Sequence, residues 1–453
     1  MRLFASALAG WVNPADAFAQ LHLHESNVFW LDREHHPTQR FSVVGGAAQT
    51  FWLDSESAYP WMRSQLEASV EIEPADQNAR ELPFDWRPGL VGLLEFEGSA
   101  AFMQVDRAMV FDHTTRQMLF VGFFQDREAF DHWHHAALLR LALVGGTLAA
   151  HQHRHLSLKT EPAPARLRHA PKAYLDLIAK AQEHIAAGDV YQLCLTNELR
   201  VETQADAFAT FNNLREASPA PYAAFLRLAR PDGSVIEIVS SSPEQFLGIS
   251  AAGLVTTKPI KGTRPRARNE LGQIEPERDL EVAEELRGNT KERAENLMIV
   301  DLMRNDLARV CDPDSIAVPI LFDVESYATV HQLVSTIRGQ LTEGKSAVDA
   351  LEAAFPGGSM TGAPKARAVE IIQDLELGNR GIYSGIIGWQ GIDGAADWGM
   401  TIRTMVFHDG SVTIGVGGGI TSDSDPVAEL EETRIKAKAL LRALGASDPW
   451  LNQ

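Results

Sequence analysis

The segment YLDLIAKAQEHIAAGDVYQLCLTNEL, residues 174–199, contains the local pattern that best indicates the fold. Its first part predicts a helix closed by Gly188, and its second part predicts a strand. Further strands are predicted in EIVSSSPEQFLGI (residues 237–249) and LVTTKPIKGT (residues 254–263), before a long helical region at about residues 281–310. Helices and antiparallel strands are thus mixed without regular β-α-β alternation, which predicts an α+β fold.

Length and composition are those of a globular protein. The chain has 453 residues, of which 45% are hydrophobic and 22% charged. It can therefore bury a large core, and its length favours two domains or one large composite domain. We expect a β-rich N-terminal domain at residues 1–150 that packs on the core, a linker at 151–171 with three prolines, and a second domain at 172–445.

Charge and cysteine content exclude several classes of function. The formal net charge is −19 at pH 7, and an acidic surface repels nucleic acid and anionic lipid, so neither is an expected partner. Cys194 and Cys311 are the two cysteines, and they have no metal-ligand spacing. A disulfide framework and a zinc site are therefore not expected. A cytoplasmic location is expected instead. No stretch approaches the ~20 apolar residues of a membrane span, and we expect no signal peptide.

Two neighbouring segments contain candidate catalytic side chains. KPIKGTRPR (residues 258–266) places Lys261 at a strand end before a glycine, which permits unusual backbone angles. Taken alone, this segment is more typical of a surface turn with basic side chains. SSSPEQF (residues 240–246) places Glu244 after a proline and two residues before apolar Phe246, where burial would raise its pKa towards the working range of a general acid. A solvated glutamate at a strand end is the alternative.

Two helical segments each contain a pair of glutamates three residues apart. They are Glu292 and Glu295 in KERAENLMIVDLMRNDL, and Glu429 and Glu432 in DPVAELEETRIKAKALL. Each pair shares one helical face. Two such pairs would repel each other unless a cation lay between them, and hard oxygen ligands suit Mg²⁺. Two solvated helix faces are the alternative.

Two glycine-rich segments could bring backbone amides close to an anion. In GGSMTGAPKARAVEII (residues 357–372), small residues lead into Lys365 at a predicted helix start, whose positive end favours a carboxylate. In IGVGGGIT (residues 414–421), consecutive glycines allow the backbone to approach a ligand closely. Each segment taken alone is more typical of a turn than of a binding site.

In their order along the chain, the six segments resemble those of the chorismate-binding family. This family includes anthranilate synthase large subunits, aminodeoxychorismate synthases, isochorismate synthases and salicylate synthases. The resemblance covers about residues 173–444, and its most specific parts are DLMRNDLARV, SMTGAPKARAVEII and AELEETRIKAKALL. It implies a fold like that of anthranilate synthase component I, in which antiparallel sheets form a β-sandwich core flanked by helices. It also makes residues 172–445 the chorismate-binding catalytic domain.

The residue before the Gly-Thr pair of the first segment distinguishes the family members. Anthranilate, isochorismate and salicylate synthases resemble one another in having alanine there, whereas aminodeoxychorismate synthases have lysine, as this chain does at Lys261. The resemblance therefore implies component I of such a synthase, with transaminase-type amidotransferase chemistry on chorismate. The lysine would add at C2 of the ring and ammonia then at C4, giving 4-amino-4-deoxychorismate for 4-aminobenzoate and folate synthesis. An anthranilate synthase large subunit and a chorismate-binding protein without turnover are the alternatives.

The resemblance also implies roles for individual residues. Lys261 would be the nucleophile, and Glu244 the general acid that protonates the departing hydroxyl. His331 is a further catalytic candidate, although the family histidine directly precedes the leucine of an HLVS-like segment, where this chain has Gln332. The implied Mg²⁺ ligands are Glu295 and Glu432, supported by Glu292 and Glu429. The implied substrate contacts are Gly262, Thr263, Ser359, Lys365, Tyr383, Arg403, Gly418 and Gly419. The implied ammonia donor is a glutamine amidotransferase subunit on a separate chain.

Overall fold

The computed structural model describes residues 1–8, 10–36, 38–67, 73–142 and 162–451. The α-helices of these residues are α1 (Pro14–His22), α2 (Ala58–Glu67), α3 (Gln77–Arg80), α4 (Arg127–Ala142), α5 (Pro171–Ala186), α6 (Ala207–Ala217), α7 (Pro276–Gly288), α8 (Thr290–Leu307), α9 (Ala347–Ala354), α10 (Lys365–Glu376) and α11 (Pro426–Leu444). The strands are β1 (Arg2–Leu8), β2 (Val28–Asp32), β3 (Phe41–Gly46), β4 (Thr50–Leu53), β5 (Gly89–Leu94), β6 (Ala100–Val105), β7 (Arg107–Asp112), β8 (Gln117–Phe124), β9 (Ala165–Leu167), β10 (Gln192–Glu202), β11 (Tyr222–Ala229), β12 (Val235–Ser242), β13 (Gln245–Ile249), β14 (Leu254–Thr257), β15 (Ile260–Pro265), β16 (Ala317–Ser326), β17 (Val330–Gln340), β18 (Gly362–Ala363), β19 (Ile386–Gly391), β20 (Ala396–Met400), β21 (Thr404–His408) and β22 (Ser411–Ile420).

These strands form two antiparallel sheets. The first sheet has the order β1-β8-β7-β3-β2-β11-β12-β21-β22-β10-β18, with β9 beside β10. The second has the order β15-β17-β14-β13-β20-β19-β5-β6-β4, with β16 beside β17. The predicted α+β class with antiparallel sheets is confirmed. Within the described residues, no helix combines the length and the hydrophobicity that crossing a bilayer requires.

Alternating side chains of β2 show how the layers pack. Phe29 and Leu31 lie in the apolar cluster that combines strands of both sheets, which is the sandwich interior. Trp30 points to the other face of its sheet and stacks on Phe18 of α1 at 5.8 Å between ring centroids. This alternation follows from the two-residue period of a strand. Helices cover the outer face of each sheet, so the sandwich has apolar clusters inside and on both outer faces.

Strands of the first 124 residues lie in both sheets. β2 pairs with β3 on one side and with β11 on the other, and β5 pairs with β19. These early strands therefore share each sheet with later strands and do not form a sheet of their own. The predicted domain boundaries near residues 150 and 172 stay a prediction, and residues 151–161 of the predicted linker lie outside the described residues.

The two helices that contain the glutamate pairs begin at capping side chains. The Asn289 side chain accepts a hydrogen bond from the Glu292 backbone N–H at 3.1 Å and caps α8. The region predicted as helical from about 281 to 310 is consequently two helices, because Asn289 leaves the helical conformation between α7 and α8. Asp425 caps α11 and Pro426 occupies its first turn, so the start predicted for that helix is confirmed.

Candidate active site

Lys261 lies at a bulge in β15. Lys261 pairs with Leu333 of β17 and Thr263 pairs with Gln332, so Gly262 is an extra residue between two consecutive partners. Gly262 has φ +80°, a conformation that glycine adopts without steric cost. The Lys261 side chain is only 14% exposed, and its Nζ lies 3.7 Å from Oε2 of a glutamate on α8, Glu295. The bulge therefore places the amine inside the protein, next to the first glutamate pair.

The glutamates of the two predicted pairs lie near one another, with lysines between them. Lys291 Nζ is 3.9 Å from Glu295 Oε1 and 3.5 Å from Glu429 Oε1, so one ammonium group connects α8 to α11. Glu295 and Glu429 are both buried. Lys436 Nζ lies 2.8 Å from Glu432 Oε1. The lysines offset the mutual repulsion of carboxylates that share a poorly solvated space.

The pKa values of two of these carboxyls shift in opposite directions. Burial raises the pKa of Glu295 above its ordinary value, although Lys261 and Lys291 act against the shift. Burial also acts to raise the pKa of Glu432, but the hydrogen-bonded ammonium group of Lys436, together with the charges of Lys261 and Lys291, outweighs it and lowers the pKa. The cluster thus contains one carboxylate in a strong ion pair and one whose negative charge is poorly compensated.

The donor set of this cluster fits a hard divalent cation. It consists of carboxylate oxygens from two helices, which are ligands that Mg²⁺ prefers. The ammonium group of Lys291 already places a positive charge between Glu295 and Glu429. Of the side chains in the described ranges, no three acidic, histidine or cysteine groups are close enough together to bind a metal ion as they stand. The expected magnesium site stays a prediction.

Glu244 occupies the turn between β12 and β13. Burial raises the pKa of its carboxyl to about 7, although a hydrogen bond with Ser359 and the positive charges of Lys261, Lys436 and Arg403 act against the shift. A carboxyl with this pKa is partly protonated at neutral pH and can donate its proton to a leaving group. The predicted burial of Glu244 is thus confirmed, and Lys261 is among the charges that act on it.

Gly418 and Gly419 of β22 leave space between the charged groups. A Cβ atom on Gly418 would lie 3.2 Å from Glu429 Oε2, whereas one on Gly419 would lie 3.2 Å from Lys261 Nζ. β22 therefore comes close both to the lysine and to the second glutamate pair without side chains of its own. The Gln192 amide is buried beside Gly419, and its Oε1 finds no hydrogen-bond partner among the described residues.

Three side chains of this group were not among the predicted site residues: Gln192, Lys291 and Lys436. Lys291 precedes Glu295 by four residues, and Lys436 follows Glu432 by four. That spacing places each lysine on the same helical face as a predicted metal ligand. It could have identified both lysines as site residues from the sequence. For Gln192 there was no local signal, because its position depends on the pairing of β10 with β22.

A family model described as chorismate binding enzyme matches residues 26–442 of the chain. The protein belongs to the chorismate-binding enzyme family. Aminodeoxychorismate synthase from Streptomyces griseus is 38% identical over 99% of this chain, which spans 65% of that relative's length. Anthranilate synthase component 1 from Streptomyces coelicolor is 37% identical over 96% of this chain and 86% of its own. The solved structure of anthranilate synthase component I from Streptococcus pneumoniae superposes with a TM-score of 0.73 and 26% identity, and covers 89% of this chain and 93% of that one.

Two further predicted substrate contacts of this chorismate-binding enzyme lie on neighbouring elements. Arg403 has φ +49°, and its guanidinium acts electrostatically on Glu244. Burial lowers the pKa of Arg403, and the negative charge of Glu244 acts against this shift. The Tyr383 ring packs against Gly415 of β22, where a Cβ atom would lie 2.0 Å from its Cγ.

Lys365 is directed away from the glutamate cluster. Its Nζ donates hydrogen bonds to Asp306 Oδ2 and to the Ala354 carbonyl, both at 2.7 Å. Two of its three N–H bonds are thus used inside the protein. The expected contact of Lys365 with a substrate carboxylate stays a prediction, and in this structure the side chain joins α10 to the end of α8.

The His331 ring has its partners in a polar cluster with Asp279 and Ser326. Its Nε2 lies 2.9 Å from Asp279 Oδ1 and its Nδ1 lies 2.8 Å from Ser326 Oγ, so both ring nitrogens have partners. On β17, His331 lies opposite Arg264 and Gln332 lies opposite Thr263. The catalytic role expected for His331 stays a prediction.

Proposed function

We propose that this chorismate-binding enzyme is component I of an aminodeoxychorismate synthase, which converts chorismate and ammonia to 4-amino-4-deoxychorismate. The observation that supports it most is the enclosed amine of Lys261, 3.7 Å from Glu295 and beside the glycines of β22. The family includes relatives named for both possible amination products. Family membership alone therefore does not distinguish between the two products, and the enclosed lysine supports amination at C4.

The proposed reaction has two substitutions. Neutral Lys261 forms a bond to C2 of the ring, the double bond shifts, and the C4 hydroxyl leaves as water with a proton from Glu244. Ammonia then forms a bond to C4, the double bond shifts back, the C2–lysine bond breaks to release the neutral amine of Lys261, and the new ammonium group at C4 returns a proton to Glu244. The net result is replacement of hydroxyl by amine at C4, and the enzyme-bound step determines the ring position.

The proposed cofactor is Mg²⁺, with Glu295 and Glu432 as direct ligands and Glu292 and Glu429 in support. When bound, the ion would neutralise a carboxylate of chorismate and so favour binding of a dianion to an acidic protein. The burial of Glu295 and Glu429 supports this assignment, because carboxylates in such a place need a cation. The protein's own contribution is to hold four carboxylates on two facing helices.

A separate glutamine amidotransferase subunit is the proposed source of ammonia. Glutamine hydrolysis requires a reactive thiolate, and the two cysteines of this chain are buried and unpaired. Burial raises the pKa of Cys194, and it raises the pKa of Cys311 to about 11. Neither thiol is thus suited to be a nucleophile at neutral pH, which supports a partner chain. Unpaired thiols are also typical of the cytoplasm, the proposed location.

The test is product identification with the Lys261→Ala variant. Wild-type enzyme with chorismate, Mg²⁺ and ammonium should give the 4-amino product, and the variant should lose it by about 10²-fold or more, because the covalent step is removed. A melting temperature close to that of wild type would exclude misfolding as the cause. Undiminished 4-amino product from the variant would refute the lysine step, and an ortho-aminated product from wild-type enzyme would identify an anthranilate synthase instead.

A further inference from the structure

Lys291 is in an unusual place for a lysine in the first turn of a helix. Its Nζ lies between two buried carboxylates of different helices, 3.9 Å from Glu295 Oε1 and 3.5 Å from Glu429 Oε1. The carboxylates are those expected to surround a divalent ion. The side chain itself is 51% exposed, so its path to solvent is open.

We propose that Lys291 occupies the magnesium site of the metal-free enzyme and moves out to solvent when the ion binds. The inference rests on the proposed metal site and extends it. The metal-free protein then has its own counter-ion, and the ion and the ammonium group compete for the same carboxylates.

Charge balance explains why a substitute cation is needed. Four carboxylates, those of Glu292, Glu295, Glu429 and Glu432, lie near four cations: the guanidinium of Arg264, paired with Glu292, and the side chains of Lys261, Lys291 and Lys436. Without Lys291, the buried pair of Glu295 and Glu429 would lose the cation that connects them. Because such carboxylates are poorly screened by water, their repulsion would push α8 and α11 apart.

The same charges explain why the lysine must leave. A divalent ion bound to Glu295 would lie within a few ångströms of the Lys291 ammonium group, and two cations this close repel strongly. Lys291 can move because its long side chain is half exposed and flexible.

The other two lysines are less free to move. Lys436 also donates to the Gly417 carbonyl at 2.8 Å, and Lys261 is only 14% exposed. Lys291 is therefore the cation that an incoming ion displaces.

The experiment compares Mg²⁺ binding and stability in full-length variants. Lys291→Met and Lys291→Gln remove the charge, Lys291→Arg keeps it, and Lys345→Met removes one charge from an exposed loop lysine as a control. Isothermal titration with MgCl₂ in the absence of substrate should show at least about fivefold tighter binding to the two neutral variants, within the usual range of coupling between sites. Their melting temperatures in EDTA should fall below that of wild type and recover with Mg²⁺, whereas the Arg and Lys345 variants should resemble wild type.

Three outcomes would overturn the inference. The first is unchanged or weaker Mg²⁺ binding by the neutral variants while wild type binds the ion, because Lys291 would then not compete. The second is an unchanged melting temperature of these variants in EDTA. The third is failure of both neutral variants to fold even with Mg²⁺ present, since the ion should replace the lost charge. If wild-type enzyme itself shows no Mg²⁺ binding and turns over in EDTA, the proposed metal site fails, which is a distinct result.

Discussion

Glu244 is buried and has several positively charged neighbours, and the balance between these two effects determines the pKa of its carboxyl. Burial raises the pKa of this carboxyl to about 7 against the charges of Lys261, Lys436 and Arg403. The side chain is therefore protonated below about pH 7 and loses the proton as the pH rises through that value. A general acid with this titration works on the acidic side of its pKa.

We expect kcat to fall as the pH rises above about 7, because Glu244 then lacks the proton that the leaving hydroxyl needs. The measurement requires saturating chorismate and a fixed concentration of neutral ammonia at every pH. Glu244→Gln should lower kcat by about 10²- to 10⁴-fold, the usual contribution of a general acid, and should abolish the alkaline decline. A Gln variant with the same pH profile as wild type would show that another group titrates.

For single residues, the sequence predicts the chemical type of a site side chain better than the direction in which that side chain points. The burial of Glu244 was indicated by the proline before it and by an apolar phenylalanine two residues after it. The direction of the His331 side chain could not be predicted from its neighbours in sequence. It depends on the strand register, which a bulge in the opposite strand sets by pairing Gln332 with Thr263. Lys365 likewise meets Asp306 from a distant part of the chain. Such partners become neighbours only in the folded protein.

At the scale of elements, the bulge in β15 requires glycine at position 262, and this requirement can be tested by substitution. A Cβ atom there would lie 2.8 Å from Leu286 Cδ1 and 2.9 Å from Glu292 Cδ, and φ is +80°. We expect Gly262→Ala to lower the free energy of unfolding by about 1–3 kcal/mol through backbone strain and to reduce kcat/KM by displacing Glu292. Urea denaturation and steady-state kinetics measure the two effects.

Gly272→Ala is the matched control for this substitution. Gly272 has φ +76°, and a Cβ atom there would meet nothing within 4 Å. The control therefore strains the backbone without disturbing Leu286 or Glu292, and kcat/KM should remain at the wild-type value. Equal losses of kcat/KM in the two variants would contradict a specific requirement at position 262.

Helix starts and ends were predictable because their causes are local. The helix and strand expected within residues 174–199 are α5 and β10, and the cap at Asp425 marks the start of α11. Strand order was not predictable, because it depends on pairs such as β2 with β11 that are distant in sequence. The meeting of Lys291 with Glu429 also depends on how two helices pack, and no local spacing indicates it.

At the scale of the whole molecule, one buried ion pair connects the two sheets. Arg33, which follows β2 of the first sheet, places Nη2 3.1 Å from Oδ2 of Asp397 in β20 of the second. Tyr222 and Gln245 also donate hydrogen bonds to Asp397, each at 3.1 Å. The carboxylate thus has several donors but one cation, and removal of that cation would leave its charge buried.

Arg33→Met should lower the free energy of unfolding by about 3–5 kcal/mol, the usual cost of an uncompensated buried charge. Denaturant unfolding measures this change. Arg200→Ala is the control, because its pair with Glu202 is exposed on both sides and should contribute at most about 1 kcal/mol. Similar losses in both variants would mean that the Arg33 pair adds no more to stability than a surface pair.

The placement of β5 beside β19 has a consequence for synthesis of the protein. The strand at Gly89–Leu94 emerges from the ribosome roughly 300 residues before its partner at Ile386–Gly391, which at about 5–20 residues per second is a delay of about 15–60 s. During that time, one long edge of the nascent hairpin of β5 and β6 has no partner and exposes apolar side chains. Protection by chaperones during translation is therefore a condition for a good yield of this enzyme.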